Sequence, residues 1–305
     1  MKHLISCHQF TQTEILSLFE LADKIKSNPS LYCEALKNKV IATVFYEPST
    51  RTRLSFSSAI VRLGASLIST ENAYENSSAN KGETLEDTIR IIQGYADAIV
   101  LRHPDNDAAQ KAAHVASVPI LNAGSGGKEH PTQGLLDLYT INTYKKSLNN
   151  LKIAFIGDLK YGRTIHSLLK LLTLFDGLEI HSLSVKELEL PIEFHHLFTE
   201  RNVKYIKHES MDTLPRNIDI LYQTRIQKER LQNEGIHPHK ASFIINKQIL
   251  DTFSADTYLM HPLPRIDEID NDVDTDARSI FFQQAHNGLY IRMAVLYKCF
   301  YPDTK

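Results

Sequence analysis

Three short stretches of the chain place anion-binding side chains where an apolar run gives way to a helical pattern. In FYEPSTRTRLSF, Ser49, Thr50, Arg51 and Thr52 follow Pro48. The first backbone N–H groups of a helix have no partner within it, and the macrodipole concentrates partial positive charge there. Three hydroxyls and a guanidinium fork at that end make a seat suited to a tetrahedral oxyanion such as phosphate. The simpler reading is a helix cap, but a cap uses one hydroxyl and no arginine. In DAIVLRHP, Arg102 sits at the C-terminal end of a strand, the edge where parallel α/β sheets gather ligands. In NAGSGGKEHPTQ, a Gly-rich turn leads to His130 and Gln133 at a helix start. There His130 is expected to stay neutral near pH 7, because the dipole disfavours the imidazolium. A neutral imidazole can donate a hydrogen bond to a carbonyl oxygen as it gathers charge. Alone, His130 reads as a satisfied helix cap; beside two other anion-directed stretches it reads as catalytic.

Two further stretches carry arginines after strands. GDLKYGRT (157–164) nearly matches a phosphate-binding GxxxxGK[ST] loop, but Arg163 replaces the lysine that reaches transferable phosphates. That substitution argues against an ATPase or GTPase, and the spacing also fails GxGxxG. QTRIQKER (223–230) supplies Arg225, Gln227 and Arg230, which suit bidentate carboxylate binding or form a solvated charge run. The stretch is too short and too free of aromatics for a nucleic-acid platform.

Strands and helices must alternate to position these residues. KVIATVF (39–45) precedes a helix from Arg51 to Leu63, whose Phe56, Ala59, Ile60 and Leu63 share one face. ASLIS, a helix near Glu83–Tyr95, DAIVLR, a helix near Asp107–Val115 and VPILNA continue the pattern, which predicts a parallel sheet covered on both faces. A helix from Thr132 to Lys145 leads to LKIAFIGD (151–158), where the alternation restarts through LEIHSLS, VKYIKH, IDILYQT and DTYLMHP. The expected fold is α/β, with two doubly wound parallel-sheet domains linked by helices. One domain is expected over 1–133 plus a C-terminal helix at about 284–305, the other over about 134–283. STENAYENSSANKGE (69–83) is polar enough to predict a surface loop.

Composition narrows the class. The chain has 305 residues, 42% hydrophobic and 23% charged, with a formal charge of -2. These values describe a globular protein whose net field favours neither nucleic acid nor membrane. No apolar run is long enough to span a bilayer, and the N-terminus lacks the apolar core of a secretory signal. Cys7, Cys33 and Cys299 are few and scattered, which predicts a reduced, cytoplasmic protein. His195-His196 and His237-Pro238-His239 lack metal-ligand spacing, so no metal and no cofactor are expected.

Taken together, PSTRTRLSF, KGETLEDT, LRHP, HPTQGLLDLYTI, GDLKYGRTIHSL, TRIQKER and HPLPRIDEI closely resemble the catalytic chains of the aspartate carbamoyltransferase family, and QQAHNGLYIRMAVL extends the similarity almost to the end. The resemblance implies attack of the aspartate amine on the carbonyl carbon of carbamoyl phosphate. It assigns Ser49, Thr50, Arg51 and Thr52 to carbamoyl phosphate, and has Arg102 bridge the phosphate and the carbonyl oxygen. His130 and Thr52 help stabilise the oxyanion, and Gln133 holds the carbamoyl amino group. Arg163, Arg225 and Gln227 grip the aspartate carboxylates, the backbones of Leu263 and Pro264 complete the pocket, and the bond between those two is expected to be cis. By motif register Ser77 and Lys81 are the loop residues that reach a neighbouring subunit's site, Lys81 serving both substrates. The resemblance thus implies a homotrimer with shared sites. Glu47, with Arg163 and Arg230, takes the family's domain-closure role. Zinc-containing regulatory chains in a larger complex are a further implied partner. His286, where a small residue is common, has no assigned role.

Ornithine carbamoyltransferase shares the first-domain motifs, but usually has a cysteine where this chain has Pro262; HPLPR, TRIQKER and Lys81 favour aspartate. A non-catalytic assembly subunit remains as a second class, and would be expected to have lost members of the anion seat.

Overall fold

The computed structural model describes residues 2–73, 82–226 and 243–302. Its contacts divide the chain into two compact units, residues 1–139 with 286–305, and residues 140–285. Both are built from parallel strands separated by helices, which is the α/β architecture the alternation predicts.

In the first unit the strands are β1 (Val40–Phe45), β2 (Ser66–Glu71), β3 (Ala98–His103) and β4 (Ile120–Ser125), ordered β2-β1-β3-β4. The helices are α1 (Gln12–Ser27), α2 (Thr50–Arg62), α3 (Leu85–Ile92) and α4 (Ala108–Val115), then the start of α5 (Pro131–Lys145). β1 is apolar apart from Thr43 because it lies between two partners and is covered on both faces, with Ile41, Ala42, Val44 and Phe45 buried. The order reverses between β1 and β3, and the crevice at such a switch point lies beyond the strands' C-terminal ends. FYEPSTRT leaves β1 there, and Arg102 lies at the same end of β3.

Residues 69–71, expected in the polar loop, instead finish β2. Ser69, Thr70 and Glu71 pair in register with Thr43, Val44 and Phe45, and the Thr43 hydroxyl donates to Ser69 Oγ at 2.8 Å. An edge strand with a solvated face needs no apolar alternation, so polar composition alone misread it. Residues 74–81 of that loop lie outside the described residues.

The second unit carries β5 (Lys152–Ile156), β6 (Glu179–Leu183), β7 (Lys204–His208), β8 (Ile220–Gln223) and β9 (Tyr258–Met260), ordered β7-β6-β5-β8-β9. Its helices include α6 (Arg163–Leu172), α7 (Ile192–Glu200) and the short α8 (Lys247–Leu250). Ala154, Ile156, Leu221, Leu259 and Phe281 belong to one buried cluster within it. The strand order here reverses between β5 and β8, and the arginine-bearing turns GDLKYGR and QTR leave those two strands. The last helix, α9 (Phe281–Phe300), begins in the second unit and continues in the first.

Candidate active site

At the β1/β3 switch point, Ser49 occupies the N-cap position of α2, yet its side chain makes no capping hydrogen bond. Nor does any acidic residue lie in the first turn to neutralise the helix end. Arg53, the next basic residue, is tied to Glu71 of β2 by an ion pair at 3.0 Å, so it braces the helix against the sheet. Thr52 is buried, and its hydroxyl lies 3.3 Å from His130 Nε2. The helix start and the turn before α5 therefore meet side chain to side chain.

Arg102 lies between these two segments. Its side chain is only 11% exposed; Nη1 donates to the Ala123 carbonyl at 3.4 Å, and Nε stands 3.4 Å from Glu47 Oε2. Burial pulls the guanidinium below its ordinary value, Glu47 opposes that fall, and the nearby charge of Arg51 adds to it. Two cations close enough to oppose one another, with one carboxylate beside Arg102, make a locus where an added anion lowers the energy. The Gly-rich turn is shaped to fit beside it. Gly126 has φ +48, and a Cβ there would stand 2.1 Å from Asn106 Oδ1 and 2.8 Å from the Pro104 carbonyl. That glycine lets the turn before His130 close onto the loop after Arg102, where the Gly126 amide donates to the His103 carbonyl at 2.9 Å.

The β5/β8 switch point is built on the same plan. Gly157 (φ +111) has no room for a Cβ, which would meet the Thr224 carbonyl at 2.3 Å. The Thr224 hydroxyl accepts from the Asp158 amide at 3.1 Å, and the Tyr161 amide donates to Asp158 Oδ1 at 2.9 Å. Thr224 thus pins together the turns carrying Arg163, the first residue of α6, and Arg225. A third element of this unit is the loop after β9. Here the Leu263–Pro264 bond is cis, as the resemblance implied, and Leu263 has φ +56. The Leu263 amide donates to His261 Nδ1 at 2.8 Å, and His261 Nε2 lies 2.7 Å from Glu268 Oε1. Because Nδ1 accepts a hydrogen bond, the ring proton of the neutral imidazole is on Nε2 and is donated to Glu268.

The first-unit candidates Ser49, Thr50, Arg51, Thr52 and Arg102 therefore gather at one switch point, the Thr52 contact brings His130 to it, and Gln133 follows His130 in the first turn of α5. Arg163 and Arg225 share the second, and Leu263 and Pro264 occupy the loop after β9 in the same unit. Ser77, Lys81, Gln227 and Arg230 lie outside the described residues. Glu47, expected to join Arg163 and Arg230 in closure, is paired here with Arg102.

Comparison with known proteins matches successive parts of the chain to two family models. Residues 2–143 match the family model described as the aspartate/ornithine carbamoyltransferase carbamoyl-P binding domain. Residues 149–299 match the corresponding Asp/Orn binding domain. The chain belongs to the aspartate/ornithine carbamoyltransferase family. Among its curated relatives, the aspartate carbamoyltransferase catalytic subunit of Methanocaldococcus jannaschii is 48% identical over 301 residues, 98% of this chain and 97% of the relative. The corresponding subunit of Aliivibrio fischeri is 45% identical over 296 residues, covering 97% and 95%. A solved catalytic subunit of M. jannaschii aspartate transcarbamoylase superposes with a TM-score of 0.91 at 46% identity, covering 99% of both chains. A Trypanosoma cruzi aspartate transcarbamoylase in complex with N-(phosphonacetyl)-L-aspartic acid superposes at 0.88, with 38% identity over 97% of this chain and 94% of that one.

Sequence reasoning missed the supports beneath the members of this carbamoyltransferase site. His261 and Glu268 were visible only as letters flanking two prolines, and Thr224 as the residue before an arginine. Their roles depend on which backbone groups each one reaches, and no spacing encodes that reach.

Proposed function

We propose that the protein transfers the carbamoyl group of carbamoyl phosphate to the amine of L-aspartate, releasing N-carbamoyl-L-aspartate and phosphate, a step of de novo pyrimidine biosynthesis. The observation that carries the reading is the cationic locus of Arg51 and half-buried Arg102 beside the hydrogen-bonded Thr52 and His130. A carbamoyl phosphate dianion satisfies it with both its charge and its carbonyl oxygen. Ser49, Thr50, Arg51 and Thr52 hold the phosphate, Arg102 spans phosphate and carbonyl, and Gln133 takes the amino group. Residues 1–133 with about 284–305 form the carbamoyl-phosphate domain in this reading, and about 134–283 the aspartate domain.

Attack by the amine forms the new C–N bond and drives the carbonyl electrons onto oxygen. Arg102, Thr52 and His130 stabilise that oxyanion, an effect worth about 3–4 kcal/mol per well-placed donor. Collapse of the intermediate breaks the carbon–oxygen bond to phosphate, and the departing phosphate can take the amine proton. Arg163, Arg225 and Gln227 hold the aspartate carboxylates, with Leu263 and Pro264 presenting backbone groups. Ser77 and Lys81 act in a neighbouring subunit's site, so the working unit is a homotrimer. Glu47, Arg163 and Arg230 serve closure. The protein is proposed to act in the cytoplasm, with zinc-containing regulatory chains as a further partner class. No step calls for a covalent enzyme intermediate; orientation and electrostatics carry the chemistry.

The test is a colorimetric assay for carbamoyl-aspartate, run without added metal or nucleotide, with ornithine as competing acceptor. Product from aspartate and none from ornithine is expected; product from ornithine alone would replace this reading with its rival, which Pro262 already disfavours.

A further inference from the structure

One helical turn beyond Gln133 on α5 lies a buried charged pair that the reading above does not use. Asp137 is fully buried and accepts a hydrogen bond from the Gln133 carboxamide nitrogen at 2.9 Å. Arg292 of α9 is 3% exposed. Its guanidinium lies 5.2 Å from the centre of the Phe56 ring on α2, the helix that opens with the anion seat. Gly288, one turn earlier on α9, makes room for it. A Cβ there would stand 2.2 Å from Arg292 Nη1 and 3.0 Å from Leu136 Cδ2. Burial pulls the Arg292 guanidinium down to about 10, and the charge of Asp137 works against that fall. Arg292 is therefore a cation at neutral pH, and its field favours an ionised Asp137 in return. An ionised carboxylate can only accept hydrogen bonds. It takes the NH2 end of the Gln133 carboxamide and rejects the oxygen, so the orientation of the amide is decided by chemistry as well as by position.

We propose that Asp137, kept ionised by Arg292, is a positioning residue that presents Gln133 Oε1 as a fixed acceptor, and so makes the site select the carbamoyl NH2 over an apolar group of the same size. The inference rests on the carbamoyl phosphate reading and adds a source of its specificity. Acetyl phosphate is the natural probe, because it keeps the carbonyl and phosphate and replaces the amino group by a methyl. A methyl group leaves the fixed acceptor without a partner, and a buried polar group denied its partner is what lets a site reject an analogue.

The experiment measures the KM of carbamoyl phosphate and the inhibition constants of acetyl phosphate and inorganic phosphate, in wild type and in variants confirmed as folded by circular dichroism and melting. In Asp137→Asn the carboxamide is free to turn, since asparagine both donates and accepts. The preference for carbamoyl over acetyl phosphate is expected to fall about tenfold, the loss of one hydrogen bond. Inhibition by inorganic phosphate, which lacks the carbonyl half, should not change. Arg292→Met should shift the preference in the same direction, because an uncharged Asp137 can also donate. If Asp137→Asn fails to fold, the same ratio is read in Arg292→Met and in Gly288→Ala, which crowds the guanidinium. An unchanged ratio in whichever of these folds overturns the inference, as does a parallel loss of affinity for all three ligands. Failure of the wild type to use carbamoyl phosphate would instead overturn the proposed function itself.

Discussion

Arg51 and Arg102 show how much of a site can depend on two charges. Arg102 is held by the Ala123 carbonyl and Glu47 while the charge of Arg51 opposes its own, so a bound dianion relieves an arrangement the fold has already assembled. Arg51→Ala is expected to lower kcat/KM at least about a hundredfold, as removal of a preorganised donor does elsewhere, with little change in the melting temperature. The exposed position of Arg51 predicts that separation of activity from stability. Activity measured alongside differential scanning calorimetry checks it, and near-normal turnover would remove Arg51 from the phosphate role. Arg53 should behave in the opposite manner, its replacement by Met weakening the link from α2 to β2 while leaving substantial turnover. At this scale residue types in the sequence were informative, because hydroxyls and guanidinium groups beside a helix start have few structural uses. Asp137 was not legible in the same way. A carboxylate four residues after Gln133 on a helix reads as an exposed i, i+4 partner, and only its complete burial next to Arg292 changes its meaning.

Loops after strands are held by buried side chains that reach back to them, and the loop after β9 is the clearest case. Burial by itself would raise the Glu268 carboxyl, but the hydrogen bond from His261, with backbone donors that include the Ile266 amide, holds it below its ordinary value of 4.5. A carboxylate depressed in the folded state contributes stability that is present above the unfolded value and lost as pH falls through the lower folded one. Glu268→Gln is therefore expected to cost about 2 kcal/mol at pH 7 and to flatten the acid side of the stability curve. Urea titrations between pH 7 and pH 3 would check this. An equal loss at every pH would mean that the ionised form has no special role. Because the Leu263 amide depends on the same imidazole, the variant should also raise the KM for substrate. Asp276 gives a surface counterpart. Hydrogen bonding to Arg278 first, and to Lys247 and the Arg278 backbone as well, holds it far below the ordinary carboxylate range against the effect of burial. Arg278 also donates to the Leu250 carbonyl at 3.0 Å, so this cluster fastens α8. Element types followed from periodicity, but the end of β2 did not, since an edge strand draws its stability from backbone pairing rather than apolar content.

For the whole molecule, acid sensitivity should begin before the carboxylates titrate. His3, His103, His166, His181 and His208 are all lowered, in each case most strongly by burial. Unfolded imidazoles take up protons near 6.5 while the buried ones resist, so stability should decline as pH falls below that value. His181 and His208 contribute through a contact of 2.8 Å between Nδ1 and Nε2, which cannot hold two protonated rings. Melting temperatures recorded from pH 7.5 to pH 5 should fall, and a flat profile would contradict the assignment of neutral buried rings. Shared sites have their own test. Trimers mixed from inactive Lys81→Ala and inactive Arg51→Ala chains should regain activity, and verified mixed trimers that stay inactive would refute sharing. The sequence by itself determined the α/β class and the family, and the anion-directed motifs followed from residue types at strand ends, because both depend on local periodicity and on chemistry carried by neighbouring residues. Only the tertiary structure decided which side chains meet. The pairing of Thr52 with His130 and of Glu47 with Arg102 joins residues from separate elements, and strand order rather than spacing along the chain brings such groups together.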